Sequence, residues 1–299
     1  MRVRYSAGYF VQLPPTHRFP MGKYLALHDT LLREGVVHAS DVVESQEADW
    51  ADLQLVHTPE YLSDLAHATL SHEAVRRLGL PWQDGMLRRS RLAVGGTIST
   101  ARMALADGVA ANLAGGTHHA FADRGEGFCV LNDVAVAIRV LRRDGEIGRA
   151  AIIDLDVHQG NGTAAIFEDD PATFTFSMHG QKNYPFHKMR SRLDVGLPDR
   201  IDDRAYIDQL DLHLDDVLAR SRPDIAFYLA GVDVVAGDRF GRLGLTRDGL
   251  AQRDRLVLSK LKQRGIPVAI VLSGGYAASV ELTADLHATV HREAVRVFA

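Results

Sequence analysis

Four short apolar runs constrain this chain most, and three of them are closed by chemistry-bearing polar residues. They are Ala150 to Leu155 (AAIIDL), Thr173 to Ser177 (TFTFS), Ile225 to Ala230 (IAFYLA) and Val268 to Leu272 (VAIVL). Ala110 to Ala114 is a weaker fifth. Such runs are too short for buried helices, and their near-continuous apolarity suits strands covered on both faces, as in parallel sheets. Helical patterns lie between them: Arg91 to Ala106, Val134 to Arg143, Arg204 to Arg220 and Thr246 to Arg264. The last opens on the capping residue Thr246 and stops before Gly265 and Pro267. Alternating strand and helix predicts an α/β fold with a central, mainly parallel sheet and helices on both faces. No repeat, low-complexity tract or Ser/Gly-rich linker divides the chain, so residues 1–299 read as one domain.

Composition narrows the possibilities. Hydrophobic residues make up 46% and charged residues 24%, ordinary values for a globular protein. A formal net charge of -4 gives no global electrostatic reason to bind nucleic acid. Cys129 is the only cysteine, so no intrachain disulfide forms, which fits a reducing compartment. The basic start Met1 to Tyr5 lacks an apolar stretch behind it, because Tyr9 to Leu13 is short and runs into Pro14-Pro15. No apolar run approaches the ~18 residues of a membrane span. The expectation is a cytoplasmic protein without a signal peptide; the oligomeric state stays open.

The polar residues gather where the apolar runs end. Asp154, Asp156 and His158 close AAIIDL, Asp233 follows IAFYLA, Ser273-Gly274-Gly275-Tyr276 closes VAIVL, and Gly115-Gly116-Thr117-His118-His119 follows the weak fifth run. Ligands of open α/β sheets bind beyond the carboxyl ends of the strands, so four such ends imply one shared site. Side chains alternate along an extended segment, which puts Asp154, Asp156 and His158 on one face. Asp156 and His158 can grip one cation, with Asp233 as third ligand from a neighbouring strand. Two carboxylates and an imidazole suit zinc with a fourth position open; iron(II), cobalt or manganese fit such donors too. Asp154 can instead orient a histidine. The adjacent His118 and His119 are poor core material and suited to proton transfer near neutral pH. The Tyr276 phenol, beside glycines that let backbone approach a ligand (Gly274, Gly275), can donate to a developing oxyanion. Phe128 can line a channel. No Gly-x-x-x-x-Gly-Lys loop and no Gly-x-Ser-x-Gly elbow is present, which removes nucleotide binding of that type and a serine triad.

These segments resemble the zinc-dependent histone deacetylases of the arginase/deacetylase fold. The likeness runs from His17-Arg18-Phe19-Pro20 and His57-Thr58-Pro59-Glu60-Tyr61 through GGTHHA (115–120), RGEGFCVLND (124–133), IIDLDVHQGNGT (152–163) and AGVDVVAGDRFGRLGLT (230–246) to SGGY (273–276). The wording is most similar to the class IV branch and its bacterial relatives. The resemblance implies one catalytic zinc on Asp156, His158 and Asp233, with His118, His119, Asp154 and Tyr276 as catalytic residues, His119 being the general base. It implies channel walls at Gly127, Phe128 and Tyr184. It also implies a structural potassium ion near the carbonyls of Asp154, Asp156 and His158 and the hydroxyl of Ser177. Asn161 is a departure: many members have aspartate there, paired with the second histidine, and an amide should leave His119 with a lower pKa. The implied reaction is hydrolysis of an acyl-amine, with acetyl-lysine, long-chain acyl-lysine and acetylated polyamines as candidate substrates. A non-catalytic acyl-amine-binding regulator is the rival from another class. An arginase-like site with two manganese ions fits poorly, since it needs further bridging carboxylates.

Overall fold

All five apolar runs become strands in the computed structural model, which describes residues 1–299. In chain order the strands are β1 (Val3–Tyr5), β2 (Val42–Glu44), β3 (Val109–Asn112), β4 (Ala150–Asp154), β5 (Thr173–Gly180), β6 (Leu193–Leu197), β7 (Ile225–Leu229) and β8 (Val268–Val271). They form one eight-stranded sheet in the order β2-β1-β3-β8-β7-β4-β5-β6, and every neighbouring pair is parallel. Residues of β3, β4, β5, β7 and β8 are buried throughout, which is why they read as apolar runs. The edge strands β2 and β6 are partly exposed. β1 and β2 have only three residues each, and β6 (LDVGL) is covered on one side, so none of the three forms a continuous apolar run.

The chain winds from β4 through β5 to β6 at one edge, then returns to place β7 and β8 between β4 and β3. The winding direction therefore reverses beside β4, and the crevice at such a reversal is where parallel sheets bind ligands. The four strands whose ends carry the polar clusters, β3, β8, β7 and β4, are consecutive neighbours there.

Helices cover the sheet as the pattern requires. The expected 134–143 helix spans Asp133–Arg143, with the Asn132 side chain accepting from the Ala135 amide. Asp203–Ser221 is capped by Asp202 and Arg247–Gln263 by Thr246, as side-chain acceptors at helix starts should do. The helix expected from Arg91 begins earlier and spans Met86–Asp107, because buried Arg89 and Ser90 break the apolar periodicity of its first turns. Val280–Phe298 is a further helix whose buried face holds Thr283, His287, Thr289, His291 and Glu293, which hides it from a hydrophobic pattern. One contiguous cluster of 82 buried residues joins both sides of the sheet. No helix is long and apolar enough to cross a membrane.

Candidate functional site

The segment after β4 carries two of the polar side chains inward. Asp156 and His158 meet Asp233, from the segment after β7, with one ligand atom of each within 4.8 Å of the others; all three are buried. Nδ1 of His158 donates to Oδ1 of Asp156 at 2.9 Å and lies 3.3 Å from Oδ2 of Asp233. Neighbouring segments fix both carboxylates: Gly274 N–H (2.6 Å) and the Ser273 hydroxyl (2.8 Å) donate to Oδ2 of Asp156, and Val157 N–H donates to Oδ1 of Asp233 at 3.0 Å. Gly274 is required here, since a Cβ would stand 1.9 Å from Oδ2 of Asp233.

This cluster fits a metal ion on two counts. Oδ2 of Asp233 is buried without a hydrogen-bond partner, and such an atom costs about 1–3 kcal/mol or more unless another group satisfies it. The charges are also unbalanced. Burial and the neighbouring Asp156 push the Asp233 carboxyl up to about 7. Burial opposes the charge of His158, yet Asp156 and Asp233 hold its imidazole up to about 10. A divalent cation would relieve both carboxylates and release the imidazole proton.

Beside the cluster stand His118 and His119, ring centroids 4.2 Å apart. His118 Nδ1 donates to Oδ2 of buried Asp154 at 2.7 Å. Burial works against its charge, but Asp154 and Asp156 outweigh it and hold His118 up to about 9. His119 Nδ1 instead meets Oδ1 of Asn161 at 2.7 Å. Burial and the neighbouring His118 and His158 push this imidazole well below its ordinary value. The amide oxygen can only accept, so Nδ1 carries the hydrogen and Nε2 keeps its lone pair. Their partners thus push the adjacent histidines in opposite directions, the Asp154 carboxylate favouring the charged form of His118 and the Asn161 amide leaving His119 the readier base.

Tyr276 lies among the rings of Phe240 (4.8 Å between centroids), Phe128 (5.9 Å) and Phe19 (6.2 Å), and its backbone N–H donates to Asp238 at 2.7 Å. Burial and the nearby Asp233 and Asp156 push its phenol well above the ordinary value, so it stays a donor. A cavity of about 310 Å³ runs to these groups between Phe128, Tyr184, Phe240, Gly79, Gly127 and Arg77, with His119, His158 and Tyr276 in its wall. A smaller space of about 40 Å³ continues past them to Asp156, Cys129, Gly116 and Arg89. Gly127 admits the histidine, because a Cβ there would meet Cδ2 of His119 at 2.7 Å.

The family model described as the histone deacetylase domain matches residues 17–291. The chain belongs to the histone deacetylase family. An uncharacterised protein of Picosynechococcus is 49% identical over 99% of both chains. Histone deacetylase 2 of Arabidopsis thaliana is 33% identical over 92% of this chain and 74% of its own length. The crystal structure of the HDA15 HD domain superposes with a TM-score of 0.78 over 100% of this chain and 90% of that one, at 21% identity.

Against this deacetylase fold, the candidate residues fall into two groups. Asp154, Asp156, His158, Asp233, His118, His119, Asn161 and Tyr276 converge on one crevice, and Gly127, Phe128 and Tyr184 line its channel. Gly274 packs on the two carboxylates rather than in the outer channel, and Gly275 faces Val232 and His287 instead of a ligand space. Ser177 pairs with Asp154 across β4 and β5, its hydroxyl bonded to Nδ1 of His179 at 2.9 Å. Several participants were not singled out from sequence. Phe240 lines the channel, Glu126 and Asp238 hold site residues, and buried Lys23 donates to the Ser273 carbonyl at 3.1 Å. Phe240, Glu126 and Asp238 lie within quoted segments, so only their partners were hidden; Lys23 carried no signal.

Proposed function

We propose that this deacetylase-family hydrolase removes short acyl groups, acetyl foremost, from lysine side chains, using zinc held by Asp156, His158 and Asp233. The observation that carries the reading is geometric: His118 held by Asp154 and His119 held by Asn161 stand with Tyr276 beside a three-ligand cluster at the inner end of an apolar channel. Zinc bound there would polarise the amide carbonyl and make water a nucleophile at neutral pH. Nε2 of His119 takes the proton of the attacking water. As the C–O bond forms, the Tyr276 hydroxyl donates to the oxyanion, and the His118 cation, held by Asp154, stabilises the same negative charge. His119 then passes its proton to the departing nitrogen as the C–N bond breaks, leaving a carboxylic acid and a free amine. A potassium ion near Asp154 and Ser177, as the family resemblance implies, would support the β4 loop.

Two magnitudes support the substrate choice. The inner space of about 40 Å³, which would also have to take the metal and its water, leaves no room for a fatty chain. In the outer channel the one side chain with a fixed charge is Arg77, and no carboxylate lines it, which disfavours a polycationic amine. Zinc-loaded enzyme should therefore cleave acetyl-lysine peptides faster than octanoyl- or myristoyl-lysine peptides and faster than acetylated polyamines. Tyr276→Phe should lower kcat by roughly 10²–10³, the usual result of losing one oxyanion donor. Zinc binding without hydrolysis of any of these substrates would favour an acyl-amine-binding regulator instead.

A further inference from the structure

The geometry points to Glu126 as a positioning residue that fixes the tautomer of His119 through Asn161 and, with the same oxygen, holds the channel wall at Tyr184; this rests on the hydrolytic reading above. Glu126 opens a tight turn in which Glu126 and Cys129 exchange backbone hydrogen bonds (3.0 and 2.8 Å), with Gly127 (φ 55°) and Phe128 (φ 69°) at its centre. Positive φ is unusual for a residue as bulky as Phe128. The turn is held in place, because Gly127 N–H donates to the Arg77 carbonyl at 3.2 Å and Phe128 N–H to that of Leu78 at 2.7 Å. The Glu126 side chain, 14% exposed, is thereby delivered behind Asn161. Its Oε1 accepts from Nδ2 of Asn161 at 2.9 Å and from the Tyr184 hydroxyl, and Arg124 stands 3.8 Å from Oε2.

The logic of donors and acceptors then runs inward. The Glu126 Oε1 accepts from the Asn161 NH₂, so the Oδ1 of that amide faces His119. That oxygen obliges His119 to carry its hydrogen on Nδ1, leaving Nε2 free toward the reacting groups. No other acceptor bonds Nδ2 of Asn161. Without Glu126 the amide can turn over, present NH₂ to Nδ1 and force the hydrogen onto Nε2, which cannot then act as a base. An aspartate at 161 would orient the ring and also charge it. The Asn161–Glu126 pair orients it while keeping the carboxylate one residue away from the imidazole. Tyr184, whose ring lies edge-on to His119 at 5.1 Å and 82°, is anchored by the same Oε1.

Ring ¹⁵N spectra of zinc-loaded wild type, Glu126→Ala and Glu126→Gln, read beside kinetics on an acetyl-lysine peptide, test this. Wild type should show His119 as the single Nδ1–H tautomer. Glu126→Ala should show a mixture, with kcat lower by about 10–100-fold, the usual effect of removing a partner that orients a site histidine, and KM raised as Tyr184 loosens. Glu126→Gln, whose amide oxygen accepts the same two bonds, should restore the tautomer and most of kcat. A single Nδ1–H tautomer in Glu126→Ala, or a Gln variant impaired as far as the Ala variant, would overturn the assignment. Absence of hydrolysis by wild type would sink the functional reading alone, since the tautomer is measured independently of turnover.

Discussion

His118 and His119 are neighbours in sequence and equally buried, yet a single atom behind each sets them apart: a carboxylate oxygen of Asp154 behind one, an amide oxygen of Asn161 behind the other. The difference can be reversed by substitution. Asn161→Asp adds a negative charge 2.7 Å from Nδ1 and raises the His119 pKa. His119 must be neutral to accept a proton, so activity is lost once pH falls through that value. The acidic limb of the pH–rate profile should therefore move to higher pH, and an unmoved limb would show that Asn161 does not govern the base. At this scale the convergence of the candidate ligands, the histidine pair and Tyr276 on one crevice was legible, because each follows the end of an apolar run. The task of Glu126 was not, since its partners Asn161 and Tyr184 are 35 and 58 residues away in sequence.

Among the elements, the turn after β8 matters as much as the strands that lead into the candidate ligands. Ser273 sits at φ 60° and Gly274 lies against both metal-site carboxylates. Gly274→Ala should weaken zinc binding by roughly 10–100-fold, as loss of ligand support does, measured by competition with a chelator at unchanged circular dichroism. Wild-type affinity in that variant would mean the turn yields easily. On the far side, the helix Arg247–Gln263 presents fully buried Arg253, whose Nη1 donates to the carbonyls of Gly231 (2.6 Å) and Leu155 (3.2 Å). It thus ties together the two segments that lead into Asp233 and Asp156. The helix itself was legible from its cap and its end. Its inward arginine was not, because charged residues read as surface until a structure shows what they bond.

At the scale of the molecule, the parallel sheet with helices on both faces followed from alternating apolar runs, whereas the strand order did not. Apolarity reports that a strand is covered on both faces and says nothing about its neighbours, and the edge strands gave no run at all. That order has a consequence for synthesis. β7 and β8 are the last strands made, yet they fill the middle of the sheet, joining the β2-β1-β3 half to the β4-β5-β6 half. Until the ribosome has released Val271, the emerging chain holds two half-sheets with bare inner edges, an aggregation hazard while it lasts. A chain ended at Arg264, which lacks β8, should remain protease-sensitive and bind chaperones, while the full chain resists digestion. Protection of that shortened chain would mean the two halves can close without their central strand.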